Sequence, residues 1–343
     1  MNSYERVITA LELGTPDRVP VLEWAINPDV ARAINPELSV TEFMAKHLDA
    51  VMTGFGMDFE KWDRMKKAES YVITDHWGIT RKFTGQDFLI PYEHPIKGPS
   101  DLLNYEPPDP SGDSRLANLK ELVDEYKGEK AICLTNGTVF TYSWSLVGME
   151  RFFKYMKTKP EFVKDVMNMV SSYSNELARL ALRSGADMIM CGDDLAYKKG
   201  LMISEKDFEA FLLPHYRRIV KTVHREGGYF VKHSDGDISD ILGTFVDVGV
   251  DAINPIEPAA GMDIGRVKSD FGAQVCIIGN IDCGDLLSRG KPEEVDRTVR
   301  ETIDKAGYGG GYILASSNEI HADVRPENFV KMLEAAKTYG KYE

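Results

Sequence analysis

Polar and charged residues follow seven short apolar segments of this 343-residue sequence, at the point where each segment ends. These ends are Glu23-Trp24, Asn136-Gly137-Thr138, Cys191-Gly192-Asp193-Asp194, His233-Ser234-Asp235-Gly236, Asn254-Pro255-Ile256-Glu257, Gly279-Asn280-Ile281-Asp282 and Ser316-Ser317-Asn318-Glu319. Buried polar groups cost free energy unless they are paired, so a sheet built only for stability would not need such a set. The pattern predicts one functional site where these segment ends meet.

His233 and Asp235 are the residues at these ends whose spacing suggests specific chemistry. They are two residues apart, so both side chains can turn toward one ion from the end of a strand. One imidazole with oxygen ligands suits a divalent cation. The sequence places no second His or Cys beside them, so the spacing alone is a weak metal signal.

Each of these residues also has a structural interpretation. Gly-Asn and Asp-Gly pairs are common in turns, which applies to Asn280 and Asp235. Asp193 or Asp194 is placed to cap a following helix, and Glu257 lies between two prolines as a loop acid would. A single histidine at a strand end, such as His233, is structural about as often as it is functional. The seven ends taken together favour a site.

The elements that position these ends alternate between short strands and amphipathic helices from residue 129 onward, which indicates βαβ units and a parallel sheet. The predicted strands are Val19–Trp24, a segment within Val51–Phe59, Lys130–Leu134, Asp187–Cys191, Gly228–Lys232, Asp251–Asn254, Gln274–Ile278 and Gly311–Leu314. The predicted helices between and after the later strands are Ser204–Arg225, Ile238–Val248, Asp263–Phe271, Pro292–Lys305 and Pro326–Tyr339. Eight strands in a chain of this length predict an α/β (β/α)8 TIM barrel. A doubly wound open sheet is the alternative, but the first strand–helix turn has no GxGxxG.

The N-terminal third departs from the alternation. Tyr4–Leu13 and Val40–Met52 have helical spacing, and Val72–Phe83 is typical of a hairpin. We therefore expect a single domain over residues 1–343, in which residues 1–128 include N-terminal helices and a hairpin insertion.

The composition excludes several classes of function. The chain has 41 Lys and Arg against 54 Asp and Glu, for a formal charge of −13, which argues against nucleic-acid and anionic-membrane binding. Its four cysteines contain no CxxC, as in reduced cytosolic proteins. No signal-peptide pattern and no apolar run of about 18 residues is present. We expect a cytoplasmic protein.

Motifs over essentially the whole chain resemble those of the uroporphyrinogen decarboxylase superfamily. They are Arg6-Val7, Pro16-Asp17-Arg18-Val19-Pro20-Val21, Gly279-Asn280-Ile281-Asp282, Pro292-Glu293-Glu294-Val295, Gly310-Gly311-Tyr312-Ile313-Leu314, Pro326-Glu327-Asn328 and Tyr339-Gly340-Lys341-Tyr342. The resemblance implies the barrel independently of the strand count. It also implies one of two activities, decarboxylation of uroporphyrinogen or methyl transfer to or from a corrinoid.

The resemblance separates these two branches at the first strand. Decarboxylases of the family have Arg-Gln-Ala-Gly-Arg there, whereas this chain has Leu22-Glu23-Trp24-Ala25-Ile26-Asn27, without either arginine. A ring of acids is also a poor host for a polyanionic porphyrinogen. The resemblance therefore favours the corrinoid-dependent methyltransferases, which exchange a methyl group with cobalamin (the corrinoid) on a separate protein.

Thiol-methylating members of that branch bind zinc through a His-x-Cys pair and a later Cys. This chain keeps His233, has Asp235 at the first Cys position and Asn318 near the second, with Ser316 or Ser317 as alternatives. Oxygen and nitrogen ligands leave a harder ion, suited to polarising an ether oxygen. The resemblance thus implies cleavage of a methyl–oxygen bond in a methoxylated, preferably aromatic, small molecule, with Zn²⁺ as the candidate ion. A protonated acid without a metal is the alternative.

The roles that follow are hypotheses. His233 is a metal ligand or proton donor, with Asp235 and Asn318 as further ligands. Glu257 and Asp193 complete the coordination or act as general acid, and Asn280 and Asn318 orient the ether oxygen. An aromatic wall, or alternatively part of the core, is assigned to Trp24, Phe140 and Trp144. Three other functions stay open: a uroporphyrinogen-type decarboxylase, a methylcobalamin:thiol methyltransferase and a non-catalytic binding relative.

Overall fold

The computed structural model describes residues 1–53, 59–68, 70–85, 89–137 and 139–342. Its strands are β1 (Ala50–Thr53), β2 (Val72–Thr74), β3 (Thr80–Phe83), β4 (Leu89–Glu93), β5 (Ala131–Gly137), β6 (Met188–Gly192), β7 (Ala196–Tyr197), β8 (Gly200–Leu201), β9 (Tyr229–His233), β10 (Ala252–Asn254), β11 (Cys276–Ile278) and β12 (Tyr312–Ile313).

The helices surround the sheet. They are α1 (Ser3–Leu11), α2 (Pro28–Ile34), α3 (Val40–His47), α4 (Phe59–Lys67), α5 (Pro99–Leu103), α6 (Ser114–Tyr126), α7 (Val139–Val147), α8 (Met149–Thr158), α9 (Pro160–Arg183), α10 (Glu205–Asp207), α11 (Leu213–Arg225), α12 (Ser239–Val248), α13 (Ile264–Phe271), α14 (Leu286–Arg289), α15 (Pro292–Ala306) and α16 (Pro326–Tyr339). Among the described residues, no helix is both long and apolar enough to cross a bilayer.

Seven parallel strands form the central sheet in the order β1-β5-β6-β9-β10-β11-β12. The predicted first strand, Val19–Trp24, lies between the two edges of this sheet. Val21 forms a parallel bridge with Leu314, and its carbonyl accepts the N–H of Asp49 at 2.8 Å. Pro20 has no N–H to donate to a regular ladder. The segment therefore closes the barrel through isolated bridges instead of forming a strand, and the predicted (β/α)8 barrel is confirmed.

Alternate residues along the strands separate into two buried clusters. The barrel interior contains side chains such as Trp24, Met190 and Val231, and α1 packs with this cluster through Val7 and Leu11. The outer cluster, between the strands and the helices, contains the residues of opposite parity. This two-residue period determines which strand-end side chains face the interior and which face the helices.

The N-terminal third confirms the hairpin and corrects one helix. β2 and β3 pair antiparallel within Val72–Phe83, and β4 adds a third strand. The predicted helix Val40–Met52 is too long, because α3 ends at His47 and β1 begins at Ala50. Leu48, just past α3, is already extended at φ −112° and ψ 169°. Residues 54–58 of the segment expected to contain a strand, and Thr138, lie outside the described residues.

Candidate active site

Three strands place one row of residues across the carboxyl end of the barrel. Gly192, His233 and Asn254 are direct partners in the β6–β9–β10 ladder. Interior side chains two residues earlier, Met190 and Val231, indicate that the row faces the barrel interior. The polar loops begin directly after this row. Asp194 and Asp235, each two residues beyond a member of the row, therefore also face His233.

His233 is fixed by a buried hydrogen bond and by stacking. Its Nδ1 lies 2.6 Å from Oδ1 of Asn254, whose Nδ2 donates to the carbonyl of Ile278 at 3.3 Å. Because the Asn254 amide is oriented by Ile278, Nδ1 of His233 is the donor of the first bond. Trp24 stacks on the imidazole, with ring centroids 4.4 Å apart.

Gly192 makes this stacking possible. A Cβ at position 192 would lie 2.7 Å from Cη2 of Trp24, which is closer than side-chain atoms approach one another. The glycine therefore leaves space for the indole beside His233. Trp24 was predicted as an aromatic wall, and the structure places it directly against the predicted central histidine.

Two carboxylates face the other nitrogen of His233. Nε2 lies 3.4 Å from Oδ1 of Asp235 and 3.9 Å from Oδ1 of Asp194. The Asp235 backbone N–H donates to Asp194 Oδ1 at 3.1 Å, and Asn318 Nδ2 donates to Asp235 Oδ2 at 2.7 Å. Asn318 was predicted as a ligand; the structure places its amide nitrogen as a donor that orients Asp235. We call Asp194, His233 and Asp235 the acid–histidine triad.

The triad is electrostatically crowded. Burial alone would lower the pKa of His233, but the hydrogen bond and charge of Asp235 together with the charge of Asp194 raise it overall. Partial loss of hydration among the surrounding groups, followed by the charge of Asp235, raises the pKa of Asp194. Glu257 adds another carboxyl group close by, and burial followed by the charges of Asp235 and Asp194 raises its pKa. The arrangement favours a proton or a cation between these groups.

The residues of the triad fit a divalent metal ion. Their ligand atoms all lie within 4.8 Å of one another. With the proton of the neutral imidazole on Nδ1, the Nε2 lone pair points toward two carboxylate oxygens, an arrangement that needs a bound cation or a second proton. Asp235 Oδ1 is buried and faces Nε2 of His233 at 3.4 Å, as a ligand atom next to a metal position would. One nitrogen and two oxygen donors suit Zn²⁺ and its first-row neighbours.

Glu257 and Asn280 shape the next loop around the mouth. Oε2 of Glu257 accepts the N–H of Gly236 at 2.7 Å, which joins the loop after β10 to the loop after β9. Nδ2 of Asn280 donates to the carbonyl of Ile256 at 2.7 Å. Ile256 is a buried β-branched residue with φ +58°, a left-handed conformation that is unusual for this residue type. Through this hydrogen bond, Asn280 holds the backbone of the residue that precedes Glu257.

The environment of Asp193 differs from that of the adjacent Asp194. Its carboxylate accepts the N–H groups of Phe140 and Thr141 at 3.1 and 2.8 Å, and the hydroxyl of Tyr216 at 2.9 Å. These contacts lie on the outer side of the barrel, at the start of α7. Asp193 therefore caps α7, which precedes it in the sequence, and not a following helix as expected, whereas Asp194 contributes the carboxylate that faces His233.

The residues predicted as an aromatic wall also differ in position: Trp24 lies at the triad, whereas Phe140 and Trp144 lie in the outer core. Phe140 is completely buried and makes edge contacts with Phe152 and Phe153 of α8. Trp144 packs against the outer core. The aromatic residue of α7 that contacts a strand end is Tyr142, because a Cβ on Gly137 would overlap its ring. The structure does not bring Phe140 or Trp144 to the triad.

Sequence reasoning included Asp194 and Asn254 among the strand ends without giving either a role in the site, and it missed Tyr142, which contacts the end of β5. Strand parity would have found the first two, since Asp194 continues the interior positions Met190 and Gly192, and Asn254 pairs with His233. Tyr142 had no comparable signal, because its placement depends on how α7 packs over Gly137.

Glu23 is the other buried acid at a predicted strand end. Its side chain is 1% exposed and accepts the Ser316 N–H at 3.0 Å and hydroxyl at 2.6 Å. Burial raises the pKa of Glu23 to about 8, against the effect of both hydrogen bonds. Ser317 instead contacts Cys283, with Oγ 3.4 Å from Sγ. Both serines considered for the second thiolate position are therefore engaged elsewhere.

Comparison with known proteins agrees with this architecture. A model of the family described as "Uroporphyrinogen decarboxylase (URO-D)" matches residues 71–339. The chain is 26% identical over 209 residues to a uroporphyrinogen decarboxylase of Chlorobium phaeobacteroides, covering 58% of this chain and 56% of that one. It is 25% identical over 188 residues to the methylated-thiol–coenzyme M methyltransferase of Methanosarcina mazei, covering 55% of this chain and 49% of that protein.

Each of these two alignments spans only about half the length of the relative. The structural match is more extensive: a solved methyltransferase from Methanosarcina mazei superposes with a TM-score of 0.75, 18% identity and 99% coverage of both chains. At that identity the superposition establishes the shared fold. Together with the family match over most of the sequence, these findings assign the chain to the uroporphyrinogen decarboxylase family.

Proposed function

We propose that this protein is a methyltransferase that breaks the methyl–oxygen bond of a small methoxylated aromatic compound and passes the methyl group to a corrinoid on a separate protein. The main support is the chemistry of the acid–histidine triad: one imidazole and two carboxylates meet at the barrel mouth, without a thiolate. Such hard donors favour an ion that polarises oxygen over one that holds a thiol.

The cysteines support the same distinction. Cys133 and Cys276 are buried in the barrel interior, Cys191 in the outer core and Cys283 beside Ser317. Burial raises the pKa of Cys133 and of Cys276 to about 12, and of Cys283 to about 11. None of these four thiols, all within the described residues, belongs to the group of potential ligand atoms around His233, which disfavours the thiol methyltransferase alternative.

The roles of the side chains follow from their positions. A divalent ion held by Asp194, His233 and Asp235 would supply Lewis acidity at the ether oxygen. In this reaction the methyl–oxygen bond would break with its electron pair left on the oxygen, and the reduced cobalt(I) of the corrinoid on the partner protein would supply the pair for the new bond to the methyl group. Glu257, whose pKa burial raises, is the proposed donor of the proton that the leaving oxygen accepts. Trp24 forms the wall against which an aromatic ring packs.

Two alternatives make different demands on the same residues. Without a metal, protonated His233 and Glu257 would stabilise the leaving oxygen by hydrogen bonds alone. Decarboxylation of a polyanionic porphyrinogen would need cations where this chain has the buried Glu23 and Trp24. The cytoplasmic location expected from the composition also stays a prediction.

An anaerobic assay tests this proposal. Purified protein, with and without added Zn²⁺, is mixed with cob(I)alamin and a panel of methoxybenzenes, methanol, methylamines and thiol methyl ethers. We expect loss of the cob(I)alamin absorbance and release of the matching phenol with a methoxybenzene. Reaction confined to methylated thiols would refute oxygen demethylation. A parallel incubation with uroporphyrinogen, in which release of CO2 is measured, would support the decarboxylase alternative if the substrate is converted.

Matched variants connect the activity to the triad. Asp194→Asn keeps the size of the side chain but removes the carboxylate that faces His233, and His233→Ala removes the imidazole. Asp304→Asn is the control, because Asp304 is 70% exposed and lies on the surface of α15. We expect the first two variants to lose methyl transfer and the control to retain it. Equal activity in all three would exclude the triad as the active site.

A further inference from the structure

A buried lysine lies directly behind the triad, on the outer side of the barrel. Lys232 has no exposed surface, and its Nζ donates to the carbonyl oxygen of Asp193 at 2.8 Å and to that of His233. The rings of Tyr216 and Phe245 each lie 5.5 Å from the ammonium group. The lysine is thus enclosed by two carbonyls and two aromatic faces.

A lysine at this position is costly, because burying an ammonium group removes its hydration. Neighbouring outward positions of the strands, such as Phe230 and Ile189, are apolar and pack against the helices without that cost. Two carbonyl acceptors and two cation–π contacts offset part of it. The position of those carbonyls suggests what the lysine contributes.

Both carbonyls belong to strand ends that support the triad. The Asp193 carbonyl precedes Asp194, and the other belongs to His233 itself. The ladder between β6 and β9 continues one step beyond the strands, since the Asp193 N–H donates to the His233 carbonyl at 3.3 Å. Lys232 therefore joins the two backbone segments whose side chains face each other in the site.

Asp193 and Tyr216 extend this link to the helices. The Asp193 carboxylate accepts two N–H groups at the start of α7 and the hydroxyl of Tyr216 from α11. The end of β6 is consequently attached to β9 by a lysine and to two helices by a carboxylate.

We infer that Lys232, supported by Asp193 and Tyr216, is a positioning residue that sets the separation between Asp194 and His233. This inference rests on the proposed function, because the separation matters for a metal ion bound by both side chains. First-row ions bind nitrogen and oxygen ligands at about 2.0–2.2 Å, so a displacement of either strand end changes the coordination. Outer contacts of metal ligands typically alter affinity by about 10–100-fold.

The experiment measures Co²⁺ and Zn²⁺ binding by calorimetry and by the visible absorption of bound Co²⁺, together with thermal unfolding. Lys232→Met removes the ammonium group and keeps a long apolar side chain, and Lys232→Arg restores a cation. Lys268→Met is the matched control, because Lys268 is also buried and donates to a backbone carbonyl, that of Gly310, close to Leu13 and the strand starts. Both methionine variants lose a similar buried contact.

We expect Lys232→Met to bind Co²⁺ about 10–100-fold more weakly, with an altered visible spectrum, while Lys268→Met binds as the wild type does. Lys232→Arg should recover part of the affinity. Equal Co²⁺ affinity and spectra for the wild type and a folded Lys232→Met would overturn the inference and leave the proposed function intact. If the wild type binds neither ion, the metal-dependent function and the inference both fail.

If Lys232→Met does not fold, the milder variant Tyr216→Phe tests the positioning role of Lys232. Tyr216→Phe removes one hydroxyl from the Asp193 carboxylate and leaves its two backbone donors in place. A weaker Co²⁺ affinity than in Lys268→Met supports the positioning role, whereas wild-type affinity and spectrum overturn it.

Discussion

Replacing Glu23 by Gln should change how the stability of the protein depends on pH. The Glu23 carboxyl group is 1% exposed, and its hydrogen-bond donors are the N–H and hydroxyl of Ser316. Burial raises its pKa from an ordinary 4.5 to about 8. Between these two values the folded protein keeps a proton that the unfolded chain releases, so Glu23 makes the fold less stable as pH rises.

The size of the effect follows from proton linkage. One proton bound more tightly by the folded state lowers the free energy of unfolding by about 1.4 kcal/mol per pH unit within this window. From pH 5.5 to pH 7.5 the loss is about 2.7 kcal/mol. Below about pH 4.5 both states are protonated, and above about pH 8 both are ionised, so the slope disappears at either end. The amide introduced by Glu23→Gln would not titrate and would not contribute this slope.

Urea unfolding at pH 5.5, 6.5 and 7.5 measures the effect for wild type and Glu23→Gln. The difference in free energy of unfolding should shift in favour of the variant by about 1.4 kcal/mol per pH unit. Glu161→Gln serves as the control, because Glu161 is 80% exposed on α9, and its difference should stay nearly constant. A constant difference for Glu23→Gln as well would show that Glu23 ionises normally in the folded protein and would refute the reasoning.

Two further substitutions test the surroundings of the triad. Asn254→Ala leaves the buried Nδ1–H of His233 without its acceptor. This substitution should lower the free energy of unfolding by about 1–3 kcal/mol and weaken Zn²⁺ binding about 10–100-fold in calorimetry. Asn254→Asp keeps an acceptor and should retain binding. Gly192→Ala puts a Cβ 2.7 Å from Trp24 and should displace the indole, changing intrinsic fluorescence, while Gly112→Ala, with open space around it, should not. Unchanged Zn²⁺ binding in the first case, or unchanged emission in the second, would contradict the stated contacts.

The barrel was predictable because its elements repeat a local pattern. The seven later strands were each located to within a few residues by apolar runs between helices. The first was assigned as a strand at Val19–Trp24, and its irregular pairing depends on contacts with Leu314 and Asp49, far away in sequence. The end of α3 was misplaced because the apolar residues of β1 follow it closely and prolong the helical spacing.

The candidate site was predictable at its centre and less so around it. His233, Asp235 and Trp24 meet as expected from their strand-end positions. Glu257 and Asn318 lie in the same group of loops, with hydrogen bonds to Gly236 and Asp235. Those bonds join loops that follow different strands, and no local sequence pattern specifies the conformation of such loops.

Asp193 and Asp194, at the end of β6, show how adjacent residues take different roles: Asp194 faces the candidate site, and Asp193 binds the surrounding helices. Consecutive side chains of a strand face opposite sides of the sheet, so two identical carboxylates one residue apart have different neighbours. Asp194 faces His233, and its side chain is 54% exposed, so a metal ion or substrate can approach its carboxylate from solvent. Asp193 is fully buried and accepts hydrogen bonds from α7 and α11. The same division applies to His233 and Lys232, so the side chains that face the candidate metal position lie on the inner side of the barrel and the supporting contacts lie on the outer side.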